Sequence, residues 1–261
     1  MLTAVFDRAR SQRRLAFIPY LMAGDPDLAT TSQLIFALSA QGADLIELGV
    51  PYSDPLADGP TIAAAGQRAL GNGVGLPDVL ALAKHCSGTS APIVLFTYYN
   101  PVYQFGVQRF AAALVDAGIA GAIVPDLALE ESAELRAALA EQGREMPLLV
   151  APSTPLERAR RIAEAAGGFV YVVSRLGVTG AGDTPDFAPL RAQIAALRER
   201  TSKPLAVGFG VSQAEDVRSV ADADGVIVGS ALIDRYAGLS GTQAVERVVG
   251  LVAALIAATH R

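Results

Sequence analysis

Short apolar runs alternate with longer stretches of helical period along this chain, the pattern of successive strand–helix units. An opening helix is predicted over about 2–13, a first strand over 16–22 and a helix over 28–41. A second strand over 44–49 gives way to a loop rich in Pro and Gly, then to helical segments through His85. Strands at 92–97, 120–124 and 147–151 are followed by helices over about 107–117, over 130–142 and from 153–157 onward. Thr154 before Pro155 reads as a helix-start signal. A strand at 169–173 leads through a Gly-rich loop to a helix ending near Arg200. Strands at 204–208 and 225–229 follow, with Ser212 expected to cap the helix between them, and helices close the chain. Eight such units in about 250 residues match an α/β architecture, a (β/α)8 TIM barrel with an extra N-terminal helix and additional helices after strands two and eight. A doubly wound open sheet is the alternative, normally with fewer repeats.

Length and composition narrow this picture. The chain has 261 residues, of which 51% are hydrophobic and 18% charged, and no linker-like segment divides it, so one domain over 1–261 is expected. A net charge of -5 with scattered basic residues gives no footprint for nucleic acid. The N-terminus carries charges where a signal peptide has its apolar core, and the apolar stretch 248–258 is too short to span a bilayer. A cytoplasmic protein without a membrane partner is expected. The lone Cys86 excludes an internal disulfide framework and every multi-cysteine metal site.

The most informative stretch is 45–60, LIELGVPYSDPLADGP. Glu47 lies inside its apolar strand, with Asp54 and Asp58 on the loop beyond. A carboxylate in such a run costs folding energy unless it is paired or neutral, so it is either a structural ion pair or an acid–base group with a raised pKa. Barrel sites are built on the loops after the strands. Lys84, His85, Cys86 and Lys203 all precede strands, and His260 is nearly terminal. The active face is then left without a Schiff-base lysine, a histidine ligand or a thiol nucleophile, and only carboxylates, hydroxyls and backbone remain.

Three glycine-containing turns follow strands six, seven and eight: Arg175–Gly180, Gly208–Gly210 leading into Ser212, and Gly229–Ser230. Glycines admit close backbone approach and helix N-termini offer unpaired N–H groups, so this corner is expected to hold a phosphate, assisted by the hydroxyls of Thr179 and Ser230. The Gly-rich loop 176–185 reads as a plain connection or as a water-excluding lid. Tyr20, Phe96, Ile123, Tyr171 and Phe209 fall at strand ends, where each alone suits barrel core. Beside a phosphate corner they suggest a substrate flat and apolar at one end and anionic at the other.

At these residues the chain resembles the tryptophan synthase alpha chain family. The motifs are the run from Glu47 to Pro60, Ser174–Gly180, Gly208–Ser212 and Gly229–Ser230, with agreement from Pro19 and Gly24-Asp25-Pro26 to the last strand. The resemblance implies retro-aldol cleavage of indole-3-glycerol phosphate to indole and glyceraldehyde 3-phosphate, the lyase half-reaction in the last step of tryptophan biosynthesis. It implies Glu47 and Asp58 as the catalytic pair with Tyr171 beside them, and Gly180, Gly210, Gly229 and Ser230 at the phosphate, in the corner that also carries Thr179. It also implies an indole pocket of Tyr20, Ile62, Phe96, Ile123 and Phe209. No cofactor and no metal is implied on this chain; the implied partner is a pyridoxal-phosphate beta chain in an α2β2 tetramer, faced by Pro51 and Asp54. Tyr20, Met22 and Phe96 depart from the residues common in the family.

Three other readings remain open. A phosphosugar isomerase would share the phosphate corner but needs acid–base groups on strands one and five, which end in Leu21-Met22 and Val150-Ala151. A free-standing indole-releasing lyase and a non-catalytic phospholigand-binding subunit are the others.

Overall fold

The computed structural model describes residues 1–173, 187–208 and 210–261. Eight parallel strands form its centre: β1 (Ala16–Met22), β2 (Ile46–Gly49), β3 (Ile93–Phe96), β4 (Gly121–Ile123), β5 (Leu148–Val150), β6 (Val170–Val173), β7 (Leu205–Gly208) and β8 (Gly225–Val228). They follow the order β4-β3-β2-β1-β8-β7-β6-β5. The ring closes between β4 and β5 through a single parallel bridge, Gly121 to Glu145, in which Ala122 N donates to Glu145 O at 3.1 Å and Glu145 N to Ala120 O at 3.2 Å. The strands are short and almost wholly buried because helices cover their outer faces while side chains fill the interior.

α1 (Leu2–Ser11) opens the chain and buries Leu2, Val5, Phe6 and Ala9. Around the barrel run α2 (Leu28–Ala40), α3 (Pro60–Gly71), α4 (Leu76–His85), α5 (Tyr99–Phe105), α6 (Val107–Asp116), α7 (Ala133–Glu141), α8 (Leu156–Ala165), α9 (Ala188–Arg198), α10 (Ala214–Ser219), α11 (Ser230–Tyr236) and α12 (Gly241–Ala258). The paired helices after β2 and β8 are those expected from the sequence. α5 is additional, an extra helix after β3 whose first N–H, that of Tyr99, is bonded by the Asp126 carboxylate at 2.9 Å.

α8 begins directly after Pro155, its cap residue, as the Thr154-Pro155 signal suggests, while Thr154 Oγ1 accepts from Ala151 N at 3.0 Å. The expected cap of α10 is corrected. Ser212 stands one residue before the cap of α10, Gln213, and the Asp216 carboxylate accepts from both backbone N–H groups and from Ser212 Oγ. The 248–258 stretch belongs to the longer α12, whose 18 residues are long and apolar enough to cross a membrane by length and composition alone. Its Ala244, Val248, Val252 and Leu255 are buried, and α12 packs against α2 and α11.

The lower rim carries structural charge. Asp44, just before β2, is buried, accepts from Phe17 N at 2.9 Å and pairs with Arg14. Lys84, His85 and Cys86 lie at the end of α4, ahead of β3, on the side of the barrel away from the strand ends.

Candidate active site

Strand register sets what faces the barrel interior, because paired residues of a parallel ladder direct their side chains to the same side and the side alternates along each strand. Tyr20 of β1 is paired with Glu47 of β2. Tyr171 of β6 is paired with Ala206, Ala206 with Gly225 and Gly225 with Ala16, two steps of alternation below Tyr20. Tyr20, Glu47 and Tyr171 therefore share the inner face. Phe96 stands opposite Gly49 and Ile123 opposite Phe96, which adds both to that face at the C-terminal ends of the strands.

Two strand-end glycines make room for the tyrosines. A Cβ on Gly49 would lie 2.1 Å from Tyr20 Oη, and one on Gly208 would lie 2.2 Å from Tyr171 Oη. Each phenol thus rests against the bare backbone of the next strand. Phe96 meets Tyr20 edge-on at 5.9 Å and Tyr98 edge-on at 6.4 Å. The three rings form an aromatic wall beside the carboxylates.

Glu47 is 1% exposed, and neither of its carboxylate oxygens has a hydrogen-bond partner among the described residues. Burial pushes its pKa up to about 8, with the charge of Asp58 adding to the rise. This is an acid held protonated near neutral pH, and no cation among the described residues pairs with it. Of the two readings open from the strand alone, the structural ion pair is absent among the described residues.

Asp58 sits two residues before α3, half-buried on the loop that follows β2. Burial raises its pKa to about 6, against the hydrogen bond from Tyr98, which lowers it. Tyr98 Oη donates to Asp58 Oδ1 at 3.0 Å and accepts from Ala57 N, also at 3.0 Å. Its ring stacks on Tyr52 with centroids 5.1 Å apart. Tyr98 was not among the residues singled out in the sequence. Its position just after an apolar strand is a signal, since that is where barrel sites are built.

Gly210 follows β7 with φ +79°, in the left-handed region that glycine adopts freely. Gly229 follows β8 and is the cap residue of α11, with Ser230 exposed as its first helical residue. Both turns lie at the C-terminal rim, as expected. Ile62 is in the first turn of α3, half-buried against the core. Pro51 is buried while Asp54 is exposed on the loop after β2, next to Leu56 at 82% exposure. Thr179, Gly180 and Phe209, with the proposed lid at 176–185, lie outside the described residues. No cluster of three or more metal-ligating side chains occurs among the described residues.

The fold and this mouth define a class: a (β/α)8 barrel with a buried, protonated acid and phenolic side chains at the C-terminal ends of its strands. A family model described as tryptophan synthase alpha chain matches residues 6–258. The tryptophan synthase alpha chain of Synechocystis is 50% identical over 246 residues, 93% of each chain, and that of Synechococcus elongatus is 53% identical over 235 residues, 88% of this chain and 87% of the other. A structure of Mycobacterium tuberculosis tryptophan synthase superposes with a TM-score of 0.92 at 39% identity, covering 100% of this chain and 98% of that one. The chain belongs to the tryptophan synthase alpha chain family, the subunit that cleaves indole-3-glycerol phosphate.

Proposed function

We propose that Glu47 and Asp58 carry the cleavage of indole-3-glycerol phosphate, with Tyr171 beside them. The supporting observation is Glu47 itself: an acid buried at the barrel mouth, with neither oxygen partnered among the described residues and a pKa of about 8. The bond between the indole ring and the glycerol carbon breaks only if the ring first becomes an electron sink. Glu47, protonated at neutral pH, donates its proton to the ring carbon that bears the glycerol chain. Asp58, ionised above pH 6, accepts a hydrogen bond from the ring N–H and stabilises the positive charge that appears there. The carboxylate of Glu47 then removes the proton of the hydroxyl on the neighbouring carbon. The C–C bonding pair returns to the ring, an aldehyde forms, and Glu47 is restored to its starting state. One group giving and regaining a proton works best with a pKa near the operating pH, which burial supplies.

The phosphate is assigned to Thr179, Gly180, Gly210, Gly229 and Ser230, and the indole ring to Tyr20, Ile62, Phe96, Ile123 and Phe209. Gly210 and the start of α11 share the rim with the carboxylates, and the first turn of a helix has N–H groups without intrahelical acceptors. Phe96, Ile123 and Tyr20 provide flat apolar surface at the strand ends. The chain is proposed to work as a single-domain cytoplasmic subunit without its own cofactor. Its partner would be a tryptophan synthase beta chain carrying pyridoxal phosphate, in an α2β2 tetramer that passes indole across. The loop with Pro51 and Asp54, where Leu56 stands out into solvent, is the surface offered to that partner.

Indole release from indole-3-glycerol phosphate, measured with and without a beta chain, tests the proposal. Strong stimulation by the beta chain is expected. Glu47→Gln and Asp58→Asn are expected to fold, to retain phosphate-ligand binding and to lose most turnover. Near-normal turnover in either variant removes that carboxylate from the mechanism, and full activity without a beta chain favours a free-standing lyase.

A further inference from the structure

Three buried polar atoms at the mouth find no hydrogen-bond partner among the described residues: the two oxygens of Glu47 and Oη of Tyr20. Tyr20 is 4% exposed and its ring is closely held. Gly49 lies beneath the hydroxyl on one side, the backbone of Gly229 is close to Tyr20 Cβ on the other, and Phe96 abuts the ring edge-on. The hydroxyl is fixed over the end of β2 and cannot swing to solvent. A phenylalanine would fill the same space without burying an unsatisfied donor. Burial, and after it the charge of Asp58, raises the pKa of this phenol and keeps it protonated, hence a donor.

Tyr20 and Glu47 are register partners on adjacent strands, so their unsatisfied groups open onto the same space. A substrate oxygen on this face of the two strand ends can meet both groups. We infer that the Tyr20 hydroxyl donates a hydrogen bond to the substrate oxygen carried by the carbon that leaves the ring, while Glu47 takes the proton from that same oxygen. The inference rests on the cleavage reading above. No proton leaves Tyr20: as the O–H proton passes to Glu47 and the C–C pair returns to the ring, the oxygen develops negative charge on its way to an aldehyde. A fixed donor at that point stabilises the transition state more than the ground state.

Tyr20→Phe in the full chain tests this with two ligands. Indole release from indole-3-glycerol phosphate is compared with calorimetric binding of indole-3-propanol phosphate, the same molecule without its two hydroxyls. Turnover is expected to fall on the order of ten- to a hundredfold, with binding of the propanol phosphate changed by less than about twofold and the thermal midpoint not lowered. Unchanged turnover overturns the inference. So does a parallel loss of turnover and of propanol-phosphate binding, which assigns the ring's packing and not its hydroxyl. If the unsubstituted chain releases no indole even with a beta chain, the cleavage reading falls and this inference falls with it.

Discussion

Tyr98 and Asp58, 40 residues apart in the chain, are joined by a 3.0 Å hydrogen bond that ties the loop after β2 to the end of β3. The same phenol oxygen receives the N–H of Ala57, so one side chain fixes both the backbone next to Asp58 and the direction of its carboxylate. Tyr98→Phe keeps the stack on Tyr52 and removes only these two bonds. A hydrogen bond to a charged group contributes roughly 1.5–3 kcal/mol, so turnover is expected to fall about ten- to a hundredfold. The bond favours the ionised form of Asp58, whose pKa lies at about 6. Its loss raises that pKa, and the acid limb of the pH–kcat profile is expected to move to higher pH. A profile that falls in height without moving would show that Tyr98 does not act through the ionisation of Asp58.

Glu47 links the site to stability. Its pKa is lifted from 4.5 to about 8 by burial and then by the charge of Asp58. The folded chain therefore holds a proton that the unfolded chain releases above pH 4.5. The titration of Glu47 costs nothing below that value, and the suppressed ionisation removes stability progressively as pH rises from about 4.5 to 8. At about 1.36 kcal/mol per pH unit, the cost above pH 8 is on the order of a few kcal/mol. Glu47→Gln removes the titration, leaving only the pH-independent cost of a buried amide. The variant's stability relative to the parent is expected to improve steadily between pH 5 and pH 8.5, measured by urea unfolding. A difference that does not change with pH would mean that Glu47 titrates normally in the folded chain.

Much of this was legible in the residues themselves. The strands announce themselves because they are almost wholly buried and read as apolar runs, and Glu47 is conspicuous as the acid that interrupts one of them. The role of Tyr98 was not legible, because its partner Asp58 is distant in sequence and a tyrosine after an apolar strand looks like core. α5 was hidden for a related reason: Pro101 suggests a break, and the carboxylate that bonds its first N–H belongs to Asp126, 27 residues onward. Ser212 misled in the opposite sense. It has the right chemistry for a cap, but Asp216 supplies the bonds at the start of α10. Local propensity yields to whichever partner tertiary structure brings closer.

The packing of Tyr171 against Gly208 makes a backbone position part of the site. A methyl group on Gly208 would stand 2.2 Å from Tyr171 Oη and 2.4 Å from a ring carbon, so the whole ring must move. Gly208→Ala is expected to cost roughly 1–3 kcal/mol through overpacking and to lower kcat by more than about tenfold by displacing a side chain beside the carboxylates. Circular dichroism and thermal melting separate the two effects. A variant with normal turnover would place Tyr171 outside the reacting centre.

The barrel's closure is its most vulnerable point. Every other pair of neighbouring strands shares two or more register pairs, whereas β4 and β5 meet through the lone bridge from Gly121 to Glu145. A Cβ on Gly121 would lie 1.9 Å from the carbonyl oxygen of Glu145, which is backbone and cannot rotate away. The bridge accepts only glycine there, since any side chain pries β4 and β5 apart and breaks the hydrogen bonds of Ala122 and Glu145. Gly121→Ala is expected to destabilise the chain by about 3 kcal/mol, at the upper end of overpacking costs, and to speed hydrogen exchange at the Ala122 and Glu145 amides ahead of those in β1 and β8. Phosphate-ligand binding is expected to survive at temperatures where the variant remains folded, because the glycine turns after β7 and β8 lie across the barrel from this seam. Protection of Ala122 and Glu145 equal to that of the β1–β8 ladder would show that the seam closes as firmly as the rest of the ring.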